Sequence, residues 1–171
     1  MAIRKILVYG HPLLRERAQE VREIDGKLQD LLEDMLETMY AAKGLGLAAN
    51  QVGELQRIFV LDLAQREEKA PRSPLFFLNP EIVEAEGELY EEEGCLSIPG
   101  YSAKVKRFSR VLVRALDREG KPFEMELEGL RARAVQHELD HLNGVLYVDH
   151  LSPLKRKLFL RWWKKHAPST K

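Results

Sequence analysis

Gln136-His137-Glu138-Leu139-Asp140-His141 places two histidines four residues apart with a glutamate between them. On a helix such residues lie on one face a turn apart, close enough for two imidazoles to share a metal ion. The glutamate sits about 100° around the helix, where it reaches a water bound at that metal. Two neutral imidazoles and a carboxylate beside a water are the working parts of metal-assisted hydrolysis. The plain alternative is a surface or core helix that carries two histidines by chance, since short motifs recur. A catalytic site of this kind also needs a third protein ligand and an open position. No glutamate follows Glu138, which excludes the thermolysin-like solution. The metzincin pattern fails too: Gly144 is in place, but Tyr147 stands where its third histidine belongs.

The helix that must carry these groups is well specified. Leu130, Ala134, His137 and His141 form one stripe at helical spacing, and Val135, Leu139 and Leu142 form an apolar stripe that can lock it into a core. Asn143-Gly144 supplies its stop. Upstream, Ile3–Tyr9 reads as a short apolar strand, Gly10-His11-Pro12 as a turn, and Leu13–Val21 as irregular or briefly helical. Asp25 can cap a helix on which Leu28, Leu31, Leu32, Met35, Leu36, Met39 and Tyr40 recur at helical spacing, with Gly44 as the natural stop. Its methionines read as core filling. Gly44-Leu45-Gly46-Leu47-Ala48-Ala49-Asn50-Gln51 fits neither a dinucleotide fingerprint nor a phosphate-binding loop. By itself it reads as a tight helix-to-strand turn; alternatively, its small residues let backbone approach a ligand, with the Gln51 amide at the end. Leu55–Leu63 and Pro74–Glu84 read as strands on either side of a charged, mobile loop, Ala64–Ser73. Lys104–Asp117 and Pro122–Glu128 read as a hairpin leading into the histidine helix. His11 and His150 read as surface or turn residues.

With 171 residues, 44% apolar and 32% charged, the chain is expected to fold as one soluble domain over positions 1–171. Its formal net charge of zero gives no bulk attraction to nucleic acid or membranes. The first nine residues are too short and broken by charge for a signal peptide, and no apolar run approaches a membrane span. One cysteine excludes an internal disulfide and fits a reducing cytosol. Seven glutamates lie between Glu81 and Glu93, a pattern that reads as a solvated face. That run ends in Glu93-Gly94-Cys95-Leu96-Ser97. A lone cysteine is usually an inert core residue, yet a Cys-His-His set with an open position is chemically sound.

Three blocks, in order, resemble the signature motifs of peptide deformylases. Gly44–Gln51 is similar to Gly-x-Gly-x-Ala-Ala-x-Gln, Glu93–Ser97 to Glu-Gly-Cys-Leu-Ser, and Gln136–Leu142 to Gln-His-Glu-x-Asp-His-Leu. The likeness runs from Leu13-Leu14-Arg15 to Leu151-Ser152-Pro153-Leu154. It implies a cytoplasmic hydrolase that removes the formyl group from N-formylmethionine on newly made proteins. Cys95, His137 and His141 would then hold one divalent metal, with Fe(II) typical of the family and zinc, nickel or cobalt able to replace it. Metal-activated hydroxide would attack the formyl carbon, with Glu138 as general acid/base and the Gln51 side chain and Leu96 N–H stabilising the formyl oxygen. Leu45, Leu130 and Ala134 fall at positions for the methionine pocket. The Gly46 backbone is placed to pair with the peptide in strand fashion. Arg133 pairs structurally with an acid such as Glu91, or else contacts substrate. Some relatives carry an arginine where this chain has Ser102, so the outer peptide contacts near Tyr101-Ser102 are left open.

Ser152-Pro153 starts a last helix, about 152–166, with Leu154, Leu158, Phe159, Trp162 and Trp163 on its apolar side. Lys155, Arg156, Lys157, Arg161, Lys164, Lys165 and Lys171 give this tail seven positive charges and no acid. A solvated packing helix is the plain explanation; the resemblance adds a salt-sensitive ribosome contact, as some deformylases dock through a C-terminal helix. The fold expected is α+β, with short antiparallel sheets around the metal-bearing helix and helices towards both ends. Two rivals stand beside the deformylase reading. One is a metal-dependent peptidase or amidase of other specificity, and the other a nucleic-acid-binding protein that uses the basic tail around a structural metal.

Overall fold

The computed structural model describes residues 2–66 and 71–168. Part of the Ala64–Ser73 loop, together with Lys171, lies outside them. The architecture is α+β, as expected. Helix α1 (Gly26–Ala41) is followed by strands β1 (Gly46–Ala48), β2 (Ile58–Leu61), β3 (Leu75–Glu86), β4 (Leu89–Cys95), β5 (Ile98–Arg107), β6 (Arg110–Leu116) and β7 (Pro122–Glu128), then helices α2 (Leu130–Leu142) and α3 (Pro153–His166). Five strands form one antiparallel sheet in the order β1-β2-β3-β6-β7, and β4-β5 form a separate hairpin.

The sheet is buried on both faces at β2 and the start of β3, and on one face only over β6 and β7. Phe59, Leu61, Phe77, Val111 and Val113 meet Ala132, Val135 and Leu142 of α2. Ile58, Val60, Phe76 and Leu78 meet Leu28, Leu31, Leu32, Met35 and Met39 of α1. Strand β2 is accordingly an unbroken apolar run, Ile58-Phe59-Val60-Leu61, with every residue buried. The third cluster joins Ile98 and Val105 of β5 to Leu146, Tyr147, Val148 and Leu151, and to Phe159 of α3. Tyr9, Tyr101, Trp162 and Trp163 pack around it.

Asp25 caps α1 as its sequence position predicts, its side chain accepting the Leu28 N–H at 2.9 Å. The far end differs from expectation. Lys43, not Gly44, adopts the left-handed conformation (φ +58°), while Gly44 N–H donates to Met39 and Lys43 N–H to Tyr40. This is a Schellman stop built on lysine, with Gly44 one residue beyond the turn. Three other expectations are corrected. Ile3–Tyr9 is not a strand: Arg4, Leu7 and Tyr9 each donate to a different element, Thr38, Gln51 and Ser97, so no ladder forms. Lys104–Asp117 is not one strand, because the chain breaks at Phe108-Ser109 and passes from the β4-β5 hairpin into the five-stranded sheet. Leu154 (68% exposed) and Leu158 (52% exposed) face away from the protein, since α3 turns Phe159, Trp162 and Trp163 inward instead. The turn expected at Gly10-His11-Pro12 is present and runs into the brief helix expected after it, a 3₁₀ turn, Pro12–Arg15, capped by the His11 ring.

Candidate active site

Helix α2 is fixed before it does any chemistry. Its buried Ala132, Val135 and Leu142 sit against the sheet, and Gly144 (φ +75°) ends it at the predicted place. Gln136 grips the break between β5 and β6 from both sides, donating to the Phe108 carbonyl and accepting its N–H, each at 2.9 Å. The opposite stripe then presents His137, Glu138 and His141 to a cavity of about 550 Å³ between α2, β1 and the β4-β5 hairpin. His141 lies at its back, fully buried.

Cys95 arrives from the other sheet. It closes β4, where an irregularity between Gly94 and Cys95 re-aims the strand end. Its Sγ lies 3.3 Å from His141 Nε2, and the ligand atoms of Cys95, His137 and His141 all fall within 4.8 Å of one another. In a tetrahedral site with sulfur at ~2.3 Å and nitrogen at ~2.0 Å, the sulfur–nitrogen edge is about 3.5 Å. The observed spacing fits one ion of that size with little adjustment. The three residues are the only metal-competent group of three or more His, Cys, Asp or Glu found among the described residues.

The histidines are held in different ways. Glu93 Oε1 lies 3.0 Å from His137 Nδ1, and an ionised carboxylate only accepts, so Nδ1 carries the proton and Nε2 is left for the cavity. Glu93 is in turn gripped by both Arg107 Nε and Nη2 at 2.8 Å, and Arg107 Nη1 reaches Asp140 at 2.6 Å. His150 completes the chain through Asp140 at 2.8 Å. Burial alone would raise the Glu93 carboxyl, but hydrogen bonds from Arg107 and His137 bring it to about 2. At His137 burial opposes the charged ring, yet Cys95 and Glu93 raise it well above its ordinary range. His141 is lowered well below that range by burial and by His137 beside it.

Glu138 is buried with Oε1 lacking any hydrogen-bond partner, and burial pushes its carboxyl up to about 7. A carboxyl poised there exchanges protons readily at neutral pH. Its neighbour across the gap is Gly46. A Cβ at position 46 would stand 2.7 Å from Glu138 Oε2 and 2.8 Å from Leu61 Cδ2. The glycine is therefore needed for the carboxylate to lie against β1, a reason additional to backbone pairing. Gln51 accepts the Ala48 N–H at 2.9 Å and donates to Ser97 Oγ at 3.0 Å, which aims its amide at Cys95 Sγ, 3.6 Å away.

The match to known proteins covers the same residues. The family model for polypeptide deformylase matches residues 3–157. The chain belongs to the polypeptide deformylase family. It is a hydrolase of that family, 51% identical to the peptide deformylase of Thermodesulfovibrio yellowstonii over 96% of this chain and 98% of the relative. The crystal structure of a peptide deformylase from Legionella pneumophila superposes with a TM-score of 0.89 at 49% identity, covering 96% of this chain and 95% of that one. A peptide deformylase from Ehrlichia chaffeensis in complex with actinonin gives 0.89 at 36% identity, covering 98% and 100%.

Within this deformylase scaffold the residues singled out from the sequence mostly converge. Leu45, Gly46, Gln51, Cys95, Leu96, Leu130, Ala134, His137 and Glu138 line the one cavity, with His141 behind. Arg133 does not pair with Glu91; its Nη2 donates to the Glu92 carbonyl instead. His150 is an exposed residue of the Tyr147–His150 turn, as expected, and its ring bonds Asp140. Tyr147 stacks on His137 (27° between rings) with its hydroxyl turned to the Tyr101 carbonyl, a packing role. Sequence reasoning does not single out the Glu93–Arg107 pair, because Glu93 closes an acidic run that otherwise faces solvent. Period-two alternation does not separate it from the exposed Glu91 two residues earlier, so no local signal marks it. No helix among the described residues is long and apolar enough to cross a membrane.

Proposed function

We propose that positions 1–171 form one catalytic domain that hydrolyses the formamide of N-formylmethionyl peptides, releasing formate. The observation that carries this reading is the meeting of Cys95, His137 and His141 in a cavity floored by the unpartnered carboxylate of Glu138. The donor set, one thiolate and two imidazoles with a free fourth direction, suits Fe(II), and zinc, nickel or cobalt as well. When bound, such a cation supplies Lewis-acid polarisation and makes water nucleophilic at neutral pH.

The chain's own residues do the rest. Glu138 accepts the proton of the attacking water and delivers it to the departing amine nitrogen. The Gln51 amide and the Leu96 N–H hold the formyl oxygen as its charge grows; losing one such donor costs ~3 kcal/mol of barrier. Leu45, Leu130 and Ala134 receive the methionine side chain, while the Gly46 backbone on edge strand β1 pairs with the peptide. Glu93 and Arg107 keep the His137 ring in one tautomer and orientation, as the partners of metal-ligating histidines do. A cramped site around a formyl carbon, which bears only hydrogen, rejects larger acyl groups. The reaction is placed in the cytoplasm on nascent chains, and the cationic α3, whose Lys155, Arg156, Lys157, Arg161, Lys164 and Lys165 are exposed, serves as a ribosome contact.

Protein purified without oxygen should deformylate formyl-Met-Ala and leave acetyl-Met-Ala and the unmodified peptide intact. Cleavage of all three, or of the peptide bond, would favour the general amidase or peptidase instead. Ribosome co-sedimentation at low salt should weaken when residues from Lys164 onward are removed; unchanged co-sedimentation would end that part of the proposal.

A further inference from the structure

Arg133 stands one turn before His137 on α2 and lines the same cavity, together with the exposed Glu92 and Ser102 and half-buried Tyr101. Its Nη2 donates to the Glu92 carbonyl at 2.5 Å, which pins the guanidinium at the rim. Its Nε is buried and has no hydrogen-bond partner, and among the described residues no carboxylate is paired with it. A guanidinium is a planar fork of donors that matches a carboxylate and never loses its charge. Of the acids that line the same cavity, Glu93 is held by Arg107 and His137, and among the described residues neither Glu92 nor Glu138 forms an ion pair with Arg133. Arg133 thus brings to the rim a cation that the fold itself leaves without an anion.

We propose that Arg133 determines specificity by binding a substrate carboxylate, so that acidic peptides are favoured over basic ones. The inference rests on the deformylase reading above and adds the sequence class of the peptide. The position follows from two rises. Four helical residues separate Arg133 from His137 by about 6 Å along α2. An extended peptide advances about 3.3 Å per residue, so a chain with its formyl group at Glu138 brings its second or third residue abreast of Arg133. A side-chain carboxylate there, or the terminal carboxylate of a short peptide, presents the same chemistry.

The test compares formyl-Met-X-Ala-amide and formyl-Met-Ala-X-amide, with X as Glu, Gln or Lys, and formyl-Met-Ala-Ala with a free or amidated end. The metal-loaded enzyme is purified without oxygen, and ratios of kcat/KM are taken within one preparation so that any inactive fraction cancels. The wild type should favour Glu over Lys by about tenfold at one of the two positions, through KM, with the ratio shrinking as salt rises. Arg133→Gln should bring that ratio close to one, Arg133→Lys should keep part of it, and Arg133→Glu should invert it. A free-acid advantage that Arg133→Gln also removes supports carboxylate binding with the chain terminus as its source. A wild-type ratio near one at both positions without a free-acid advantage, or a preference that survives Arg133→Gln, overturns the assignment. Absence of turnover on every formyl peptide would instead overturn the deformylase reading, and this inference with it.

Discussion

Replacing Gly46 by alanine isolates the carboxylate of Glu138 without altering any group proposed to react. The added methyl would lie 2.7 Å from Oε2 of Glu138, about 0.7 Å inside the 3.4 Å at which ordinary contact begins, and equally tight on Leu61. Leu61 is buried in the core and has little room to move, so the methyl displaces the Glu138 carboxylate, whose Oε1 has no hydrogen bond to hold it in place. Overpacking of this kind costs ~1–3 kcal/mol of stability. The chemical consequence is larger, because a misplacement on the order of 1 Å at a reacting group costs ~100-fold. Backbone pairing with the peptide survives, since alanine keeps the same N–H and C=O. We therefore expect Gly46→Ala to lower kcat on formyl-Met-Ala about 100-fold, with KM within about threefold and metal content unchanged. Steady-state kinetics, metal analysis and thermal unfolding on the same sample separate these effects. A variant with near wild-type kcat and raised KM would refute the argument, leaving Gly46 a residue for peptide pairing alone.

Glu138→Ala should retain bound metal and abolish turnover; activity close to wild type would remove Glu138 from the mechanism. Cys95→Ser should weaken metal binding or change metal preference, and unchanged metal content and activity would place the third ligand elsewhere. Glu93 titrates at about 2 against an ordinary 4.5, so the stability it contributes is complete above pH ~4.5 and lost as pH falls through 2. Acid unfolding of Glu93→Gln should consequently show a flatter stability profile between those pH values than wild type, and parallel profiles would discount the Arg107–Glu93 pair. Gly144→Ala drives a methyl into the Arg15 carbonyl in a left-handed conformation, and should cost at least ~2 kcal/mol in denaturant unfolding.

What could be read from the sequence was local. The histidine stripe of α2, the Asp25 cap and the stop at Gly144 depend on spacing within a turn or two, and all three stand in the structure. Features set by tertiary pairing were not legible. Residues Lys104–Asp117 contain no Gly or Pro to mark an interruption, yet the chain breaks at Phe108-Ser109, where Gln136 holds both polar groups of the Phe108 backbone. Leu154 and Leu158 share a helical face with nothing to cover them, since the direction of α3 is decided by Phe159 and the two tryptophans. Glu93 looked like its acidic neighbours because a run of charges says nothing about which member meets an arginine. Lys43 in a left-handed turn is a further case: the following Gly44 drew the expectation, but a Cβ there would meet the Leu96 side chain at 2.6 Å, so its smallness serves packing.

The three signature blocks lie on different supports, and this decides what the remainder of the chain is for. Gln51 and Gly46 come with the edge of the five-stranded sheet, and His137, Glu138 and His141 with the helix packed on it. Cys95 belongs to a two-stranded hairpin that shares no ladder with that sheet. A lone hairpin is marginal in water, so its position must be imposed by packing. Two sets of contacts impose it. Arg107 on β5 reaches across to Asp140 on α2 and binds Glu93 on the strand that ends in Cys95. Behind the hairpin, Ile98 and Val105 are sealed by Tyr147, Leu151 and Phe159, with Trp162 and Trp163 outside them. Helix α3 is thus tied to the metal-competent sulfur through its buried face, whatever its cationic outer face meets. If Cys95, His137 and His141 are to reach one ion, these supports cannot drift apart, which is a physical reason for burying a bidentate Arg–Glu pair beside them even though such pairs add little net stability.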